Sequence, residues 1–588
     1  MSGMESSSQK HRLHFKFPEA EQYIARFIRD PAMVGLAKEV QFLQTKSRVP
    51  SNSPASVSDS EFSPELMQLR THLPPKAVCD QLLGLYTQNF EGVFRILHIP
   101  SFLRQYTRFW AHPDGENDRI ADPNTKLGNL PAWDYLLNAA IDFIRAWQRK
   151  LGRKQQTEIA TLQIEMLVVM ARRLRLESAE EIWRATGNLV RSAMVMGLHL
   201  DLSRYESLSV FQAEIRRRLW ITIAEMDLQA SIESGMPVMT PDLDYEALSP
   251  ANLDDVDFDD STVELPPSKP LQEETKSLTQ VTLAKSLRHR IKTMVFVKNA
   301  SPGQRMKATL ENGQVLEEHL QRIPDLLKLE YNFQGDETPG HLLNRVLLDI
   351  HIRRPLLCLY RSLAMLEDQE EEGYHTLQQL SLGSSLAILS YQDYFDPNVA
   401  DPDIFGSNVY WDLSQALCKN DLLWAALGVC GHMKTSGQTP HSAQAPSSNY
   451  RVGPSAKHTP THSKASMVRT VQTTLDALIR RVADPGTNIK DIILLAIALQ
   501  SVRAPGSTQV KDYRMQEGAK KAFAACRQHL LPSVVDEFAA GNVSDVAQVL
   551  HSNQALFSNG PSSSLLEEFN DFQGNIFSFD DGSFAWNL

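Results

Sequence analysis

Ile159 to Leu176 reads IATLQIEMLVVMARRLRL. Ile159, Leu162, Met166, Val169, Arg173 and Leu176 succeed one another at steps of three and four residues, the spacing that lays side chains along one stripe of an α-helix. The pattern resumes at Trp183 and runs through Leu189, Val190, Ala193 and Met194. Gly197 then stops it, as a helix C-cap does. Phe211 to Ser231 repeats the stripe with Leu219, Trp220, Ile223, Met226 and Ala230, and Leu342 to Leu363 and Ile489 to Val502 are similar. Alternating runs bounded by turn pairs are scarce, and no motif recurs with a period of roughly 30 to 50 residues. The expected fold is all-α, a multi-helix body with few or no strands.

Four segments have compositions that bury too little apolar surface to offset the entropy of ordering. They are Lys46 to Pro64, the acidic Ser249 to Pro270, Thr435 to Lys464, and Ser558 to Ser564. They divide the chain into an N-terminal segment (1–64), a helical body (65–434), a linker (435–464), C-terminal helices packing on the same body (465–557) and a tail (558–588).

The chain has 588 residues, 59 Lys+Arg against 70 Asp+Glu, and a net charge of -11. An acidic balance argues against a polyanion-binding surface over the whole chain. The five cysteines (Cys79, Cys358, Cys418, Cys430, Cys526) include no CxxC pair and read as buried apolar residues of a reducing compartment. The first residues, MSGMESSSQKHRLHFKF, contain no apolar signal core, and the longest apolar stretch, Ile492 to Leu499, is far short of a membrane span. An intracellular protein with no membrane anchor is expected.

Signatures of chemistry are sparse. HExxH, GxSxG, Walker A and a helix-opening GxGxxG are all absent from the sequence. His72, His98, His199 and His351 each stand alone in apolar surroundings and read as hydrogen-bonded core residues. His432, His441, His458 and His462 are irregularly spaced in linker-like sequence. The run from Asp254 to Asp260 (DDVDFDD) fails the DDxxD pattern because Phe258 stands where a carboxylate is needed, so it reads as a solvated acidic loop. Arg216, Arg217 and Arg218 point in directions about 100° apart on a helix, so they pair with acidic neighbours better than they make a phosphate site.

Leu73 to Trp110 reads LPPKAVCDQLLGLYTQNFEGVFRILHIPSFLRQYTRFW and contains ILHIPSF with His98, Pro100 and Phe102. WRATGNLVRSAMVMGLHLD follows, with Trp183, Gly187, Arg191, Gly197, Leu198 and Asp201. Then come EIRRRLW (Glu214, Arg216, Arg217, Arg218, Trp220), Asp227, SGMP with Gly235 and Pro237, and PANLDD with Asn252 and Asp255. A weaker echo is HIRRPLL from His351. In this order the pieces resemble the fungal-specific transcription factor domain, the middle homology region of zinc-cluster regulators, over roughly Leu73 to Cys430. The motif residues are read as architectural. Gly187 and Ala193 allow close helix contact, Arg216 to Arg218 pair with Glu214 and Asp227 between helices, and Gly235-Met236-Pro237 ends a helix.

The resemblance implies a nuclear regulator. It also implies a six-cysteine, two-zinc DNA-reading cluster, which needs closely spaced cysteines. None precedes Cys79, so no cofactor is expected in this chain, and no catalytic or metal-binding residue. DNA would be met only weakly or through a partner, a DNA-binding transcription factor or a coactivator. Met33, Leu36, Val40 and Leu43 are either a remnant of a dimerisation coil, for a homo- or heterodimer, or an ordinary amphipathic helix. The tail interleaves acidic residues with Phe577, Phe579, Phe584 and Trp586, either for a coactivator groove or for docking on its own domain. The expected function is co-regulation or decoy action on a metabolic or secondary-metabolite gene cluster. The alternatives are a gene model missing its zinc cluster, or an all-α ligand-binding protein or enzyme on this scaffold.

Overall fold

The computed structural model describes residues 30–46, 73–111, 130–175, 177–200, 208–299, 305–329, 338–364, 373–395, 409–436, 463–483, 487–503 and 508–539. Among the described residues there is no strand. The helices are α1 (Pro31–Lys46), α2 (Lys76–Asn89), α3 (Glu91–Phe94), α4 (Ile99–Ala111), α5 (Leu130–Lys150), α6 (Arg153–Gln156), α7 (Ile159–Leu174), α8 (Ala179–Val195) and α9 (Val210–Ser234). They continue with α10 (Leu278–Asn299), α11 (Arg305–Gln321), α12 (Pro339–Ala364), α13 (Tyr374–Ser390), α14 (Gln392–Phe395), α15 (Val409–Ser436), α16 (Lys464–Arg480), α17 (Ile489–Arg503) and α18 (Thr508–Ala539).

The chain divides into two compact units. One takes Pro50–Thr474 with Met1–Leu13, the other His14–Val49 with Leu475–Leu588. The helices of 465–557, expected on the same body as 65–434, therefore group from Leu475 onward with α1.

In the first unit α12 is the central element, packed by α10, α11, α13 and α15. Leu343, Leu348, Leu356, Leu359 and Tyr360 are fully buried along it, each apolar side chain contributing about 1.5–3 kcal/mol. Beside it α8 packs on α9, and α9 meets α10. α9 is buried nearly all round, including Glu214, Arg218, Glu225, Asp227 and Gln229. Helix boundaries follow local chemistry. Ser178 caps α8 by accepting from the Glu181 amide (3.3 Å), and Ser209 caps α9 by accepting from Gln212 (3.2 Å). Gly197 closes α8 at φ 76°. Its amide donates to Met194 and that of Leu198 to Ala193, and the Leu198 side chain is buried beneath the turn. Gly235 ends α9 at φ 67°, its amide donating to the Ile232 carbonyl (3.3 Å).

In the second unit α18 packs against α17 and α1. α17 is buried from Ile492 to Leu499. α1 places Met33, Val40 and Leu43 in this unit's core. The face that carries these three residues packs inside the unit, as the face of an amphipathic helix does.

Several expectations need correction. Ser249 to Pro270 is ordered, irregular backbone with Leu253 and Phe258 buried. Two apolar anchors suffice because side chains meet its backbone needs. Asn252 donates to the Lys269 and Pro270 carbonyls (both 3.1 Å) and accepts from Thr275 Oγ1 (2.5 Å). The linker starts later than Thr435: α15 continues to Ser436, and it carries His432, while Thr435 is buried and donates to Gly431 and His432 carbonyls. Gly187 is not a helix-contact glycine, since a Cβ there would lie at ordinary distance (3.5 Å) from Met239 of a following loop. Residues 47–72, 437–462 and 540–588, with Asp201 and the tail aromatics Phe577, Phe579, Phe584 and Trp586, lie outside the described residues.

Candidate functional site

The polar residues of the first unit assemble into two buried charge clusters. Asp255 is the centre of the first. Arg95 pairs with its Oδ1, Arg218 Nη1 donates to the same oxygen (2.6 Å), and the Ile99 amide donates to Oδ2 (2.9 Å). Arg218 also donates to the Leu253 carbonyl (3.1 Å) and lies over the Phe258 ring at 4.7 Å. Burial alone would raise the Asp255 carboxyl, but Arg95 and Arg218 outweigh it and hold the group below the ordinary range. His98 Nε2 lies 2.8 Å from the Asp255 carbonyl and its Nδ1 2.8 Å from Ser101 Oγ, so the ring pins this loop to the start of α4. The loop is therefore not a solvated one throughout: Asp255 is taken inside, while Asp257 stays at the surface, paired with Lys269 (2.7 Å).

The three arginines of α9 do three different things. Arg216 donates to the Met196 carbonyl at the end of α8 (3.0 Å), Arg217 pairs with Glu214 (2.9 Å), and Arg218 reaches Asp255. Asp227 pairs with none of them. It accepts from the Met239 and Thr240 amides and from Thr240 Oγ1 (2.8, 2.9 and 2.7 Å), and burial raises its carboxyl. With Trp183 Nε1 donating to the Pro237 carbonyl (2.8 Å), it straps the turn after Gly235 onto α8 and α9.

The second cluster crosses the middle of the unit. Arg290 of α10 donates twice to Glu225 of α9 (2.8 and 2.6 Å). Gln229 donates to Glu225 (2.6 Å) and accepts from Arg354 of α12. Arg354 then grips Asp421 of α15 through Nε and Nη2 (2.7 and 2.5 Å) and lies 3.3 Å from Glu233, which Arg173 of α7 also holds. Asp421 and Glu233 hold the Arg354 guanidinium in its charged form. Burial would raise Glu225, but Arg290 and His351 reverse it and keep the carboxyl well below the usual range. Burial lowers the His351 imidazole to about 4, so it is neutral at neutral pH.

Pro355 explains one part of this design. Inside α12 it offers no N–H to the carbonyl four residues back, which belongs to His351. Arg290 Nη1 reaches that freed carbonyl at 3.4 Å. The HIRRP stretch thus supplies an acceptor as well as charges.

Of the motif residues, His98, Arg218 and Asp255 meet in the first cluster, Glu214 borders it, and Asn252 braces its loop. Pro100 and Phe102 lie half-buried on α4, with Phe102 stacked on Tyr106 at 6.1 Å. Trp220 is buried near His199 (ring centroids 5.9 Å), and Arg191 bonds its helix neighbour Asn188 (2.7 Å). Missed in the sequence were Arg95, Glu225, Gln229, Arg290 and Asp421. One signal was visible: Glu225, Asp227 and Gln229 interrupt the largely apolar stretch from Leu219 to Ile232, where a polar residue must find a partner.

This arrangement clamps helices together and holds no exposed nucleophile or acid–base pair. Among the described residues no group of three His, Cys, Asp or Glu is placed to hold a metal, and no helix is long and apolar enough to cross a membrane. A two-zinc thiolate cluster does not fit the cysteines present. Cys358, Cys418, Cys430 and Cys526 are buried, and burial pushes the Cys418 and Cys526 thiols up to about 12, the protonated form that does not ligate.

Residues 135–323 match the family model described as the fungal specific transcription factor domain. Glu214, Arg218, Glu225, Asp255 and Arg290 fall inside the matched stretch, whereas their partners Arg95, His351, Arg354 and Asp421 fall outside it, so the clusters bind that stretch to its flanking helices. The chain is similar to the transcription factor opdR of Penicillium oxalicum (26% identical over 475 residues, 77% of this chain and 59% of that protein). It is also similar to the equisetin cluster transcription factor of Fusarium heterosporum (26% over 479 residues, 76% and 67%). A third relative is the fusarisetin A cluster transcription factor of a Fusarium species (25% over 500 residues, 79% and 65%). The matches thus span about three fifths to two thirds of the length of these relatives. No solved structure matches the chain.

Proposed function

We propose that this chain is a nuclear transcription regulator of a secondary-metabolite gene cluster and not an enzyme. The observation that carries the reading is the match of 135–323 to the fungal specific transcription factor domain, within alignments that run over 76–79% of the chain to named transcription factors. These 588 residues hold no cysteine cluster, and the net charge is -11. Through these residues the chain meets promoters by way of a DNA-binding partner, and it contacts coactivators through the acidic-aromatic residues around Phe577, Phe579, Phe584 and Trp586.

The test tethers the full chain to an unrelated DNA-binding domain above a reporter. Transcription several-fold above the tether alone is expected, and Phe577→Ala, Phe579→Ala and Trp586→Ala together should remove most of it. A reporter that stays at the level of the tether, in either direction, would sink the regulator reading.

A further inference from the structure

Between Asp142 and Glu158 lie fifteen residues with no acidic side chain and five cations: Arg145, Arg149, Lys150, Arg153 and Lys154. That density is at odds with a chain of net charge -11. Arg149 and Lys150 close α5, Arg153 and Lys154 open α6, and all four side chains are exposed. Among the described residues Arg149, Arg153 and Lys154 have no carboxylate partner.

The corner that displays them is built firmly. Leu151 is buried, Gln156 Nε2 donates to the Leu151 carbonyl (2.9 Å), and the Gly152 amide donates to Gln155 Oε1 (3.1 Å). Stability accounts for only half of the charges. Arg149 and Lys150 in the last turn of α5 gain from that helix's dipole, whereas α6 is a single turn and offers Arg153 and Lys154 no such support. Arg149, Arg153 and Lys154 are exposed with no carboxylate to neutralise them, and an anionic partner is the complement of that unbalanced charge.

We propose that this corner is a contact surface for the phosphate backbone of duplex DNA, read without regard to sequence. Arg149 to Lys154 span at most about 18 Å even if extended. Over that length a duplex presents about one phosphate charge per 1.7 Å of axis, so each of the four cations can meet one. The surface holds a regulator on DNA that a partner has already selected. It rests on the regulator reading, and the rest of the acidic chain keeps the contact weak.

The experiment titrates a fluorescent random-sequence 20-base-pair duplex with the full chain at several salt concentrations and reads anisotropy. Neutralising two to four phosphates predicts a slope of log K against log salt between about −2 and −4. Arg149→Gln, Lys150→Gln, Arg153→Gln and Lys154→Gln together should weaken binding at least about tenfold and flatten the slope. A control with the same charge change elsewhere (Lys285→Gln, Lys307→Gln, Lys520→Gln, Lys521→Gln) should bind as the parent does. Equal loss in patch and control variants, no loss in either, or no binding by the parent overturns the proposal. So does unchanged DNA binding by a patch variant that no longer enters the nucleus, which assigns the corner to an import receptor instead. Reporter activity of the tethered parent is read separately, so a failed patch leaves the regulator reading standing.

Discussion

Among the described residues, eight arginines are buried in the unit built around α12: Arg95, Arg172, Arg218, Arg290, Arg345, Arg353, Arg354 and Arg361. In the unit of α1, α17 and α18 the described buried polar side chains are Gln44, Thr487 and Ser501, none of them charged. There Gln44 ties the loop before α17 by donating to the Val482 and Thr487 carbonyls (2.6 and 2.9 Å), and apolar volume does the rest. The contrast shows two ways to specify helix packing. Apolar faces tolerate sliding and rotation, because the transfer of surface from water is non-directional. A guanidinium with five fixed donors fits one arrangement of acceptors. The first unit holds many helices against one another and uses charge to select their register. The second has few neighbours to arrange and relies on close contact.

The largest effect expected from this contrast is at Arg290. Arg290→Met leaves Glu225 buried without its cation and should cost about 3–5 kcal/mol. The measurement is urea unfolding followed by tryptophan fluorescence. Seven of the eight tryptophans, Trp110 to Trp424, lie in the first unit, so the signal reports on it. Adding Glu225→Gln should restore at least half of the loss. If the single variant unfolds like the parent, the cluster does not support the fold.

Next comes acid sensitivity. His351 is buried neutral at about 4 instead of the ordinary 6.5. Such a depressed imidazole favours the folded state fully above about 6.5. As pH falls from there toward 4 the unfolded chain takes up the proton first, and stability drops by up to about 3 kcal/mol before levelling off. Glu225, held low, adds its own loss only at lower pH. Urea midpoints at pH 7, 6 and 5 should therefore fall steadily, with His351→Gln flattening the decline. A parallel decline in both proteins would remove His351 from the account.

A smaller effect is expected from overfilling the second unit. A Cβ on Gly518 of α18 would stand 2.4 Å from Gln500 Cγ on α17. Gly518→Ala should destabilise that contact by about 1–3 kcal/mol, seen as faster amide exchange in peptides from 489–530. Unaltered exchange would mean that the helices separate freely. The smallest effect belongs to Arg527, whose pair with Glu39 (3.1 Å) is partly exposed. Arg527→Ala should cost at most about 1 kcal/mol by the same exchange measurement, and a cost matching that at Arg290 would erase the distinction between the units.

Local chemistry was enough to read the helices and their ends. The stripe from Ile159 and the closing Gly197 and Gly235 depend on residues within a turn of each other, because helical hydrogen bonds join neighbours four apart. The motif residues His98, Arg218 and Asp255 could be singled out, but not assigned partners. Asp254, Asp255, Asp257 and Asp259 look alike in one dimension, yet only Asp255 enters the core. Tertiary packing decides that, since its arginines come from positions 37 and 160 residues earlier. Likewise Arg354 meets Asp421 across 67 residues. No local pattern carries such pairings. A buried charge is tolerable wherever an opposite charge arrives, and which one arrives depends on how the helices are stacked.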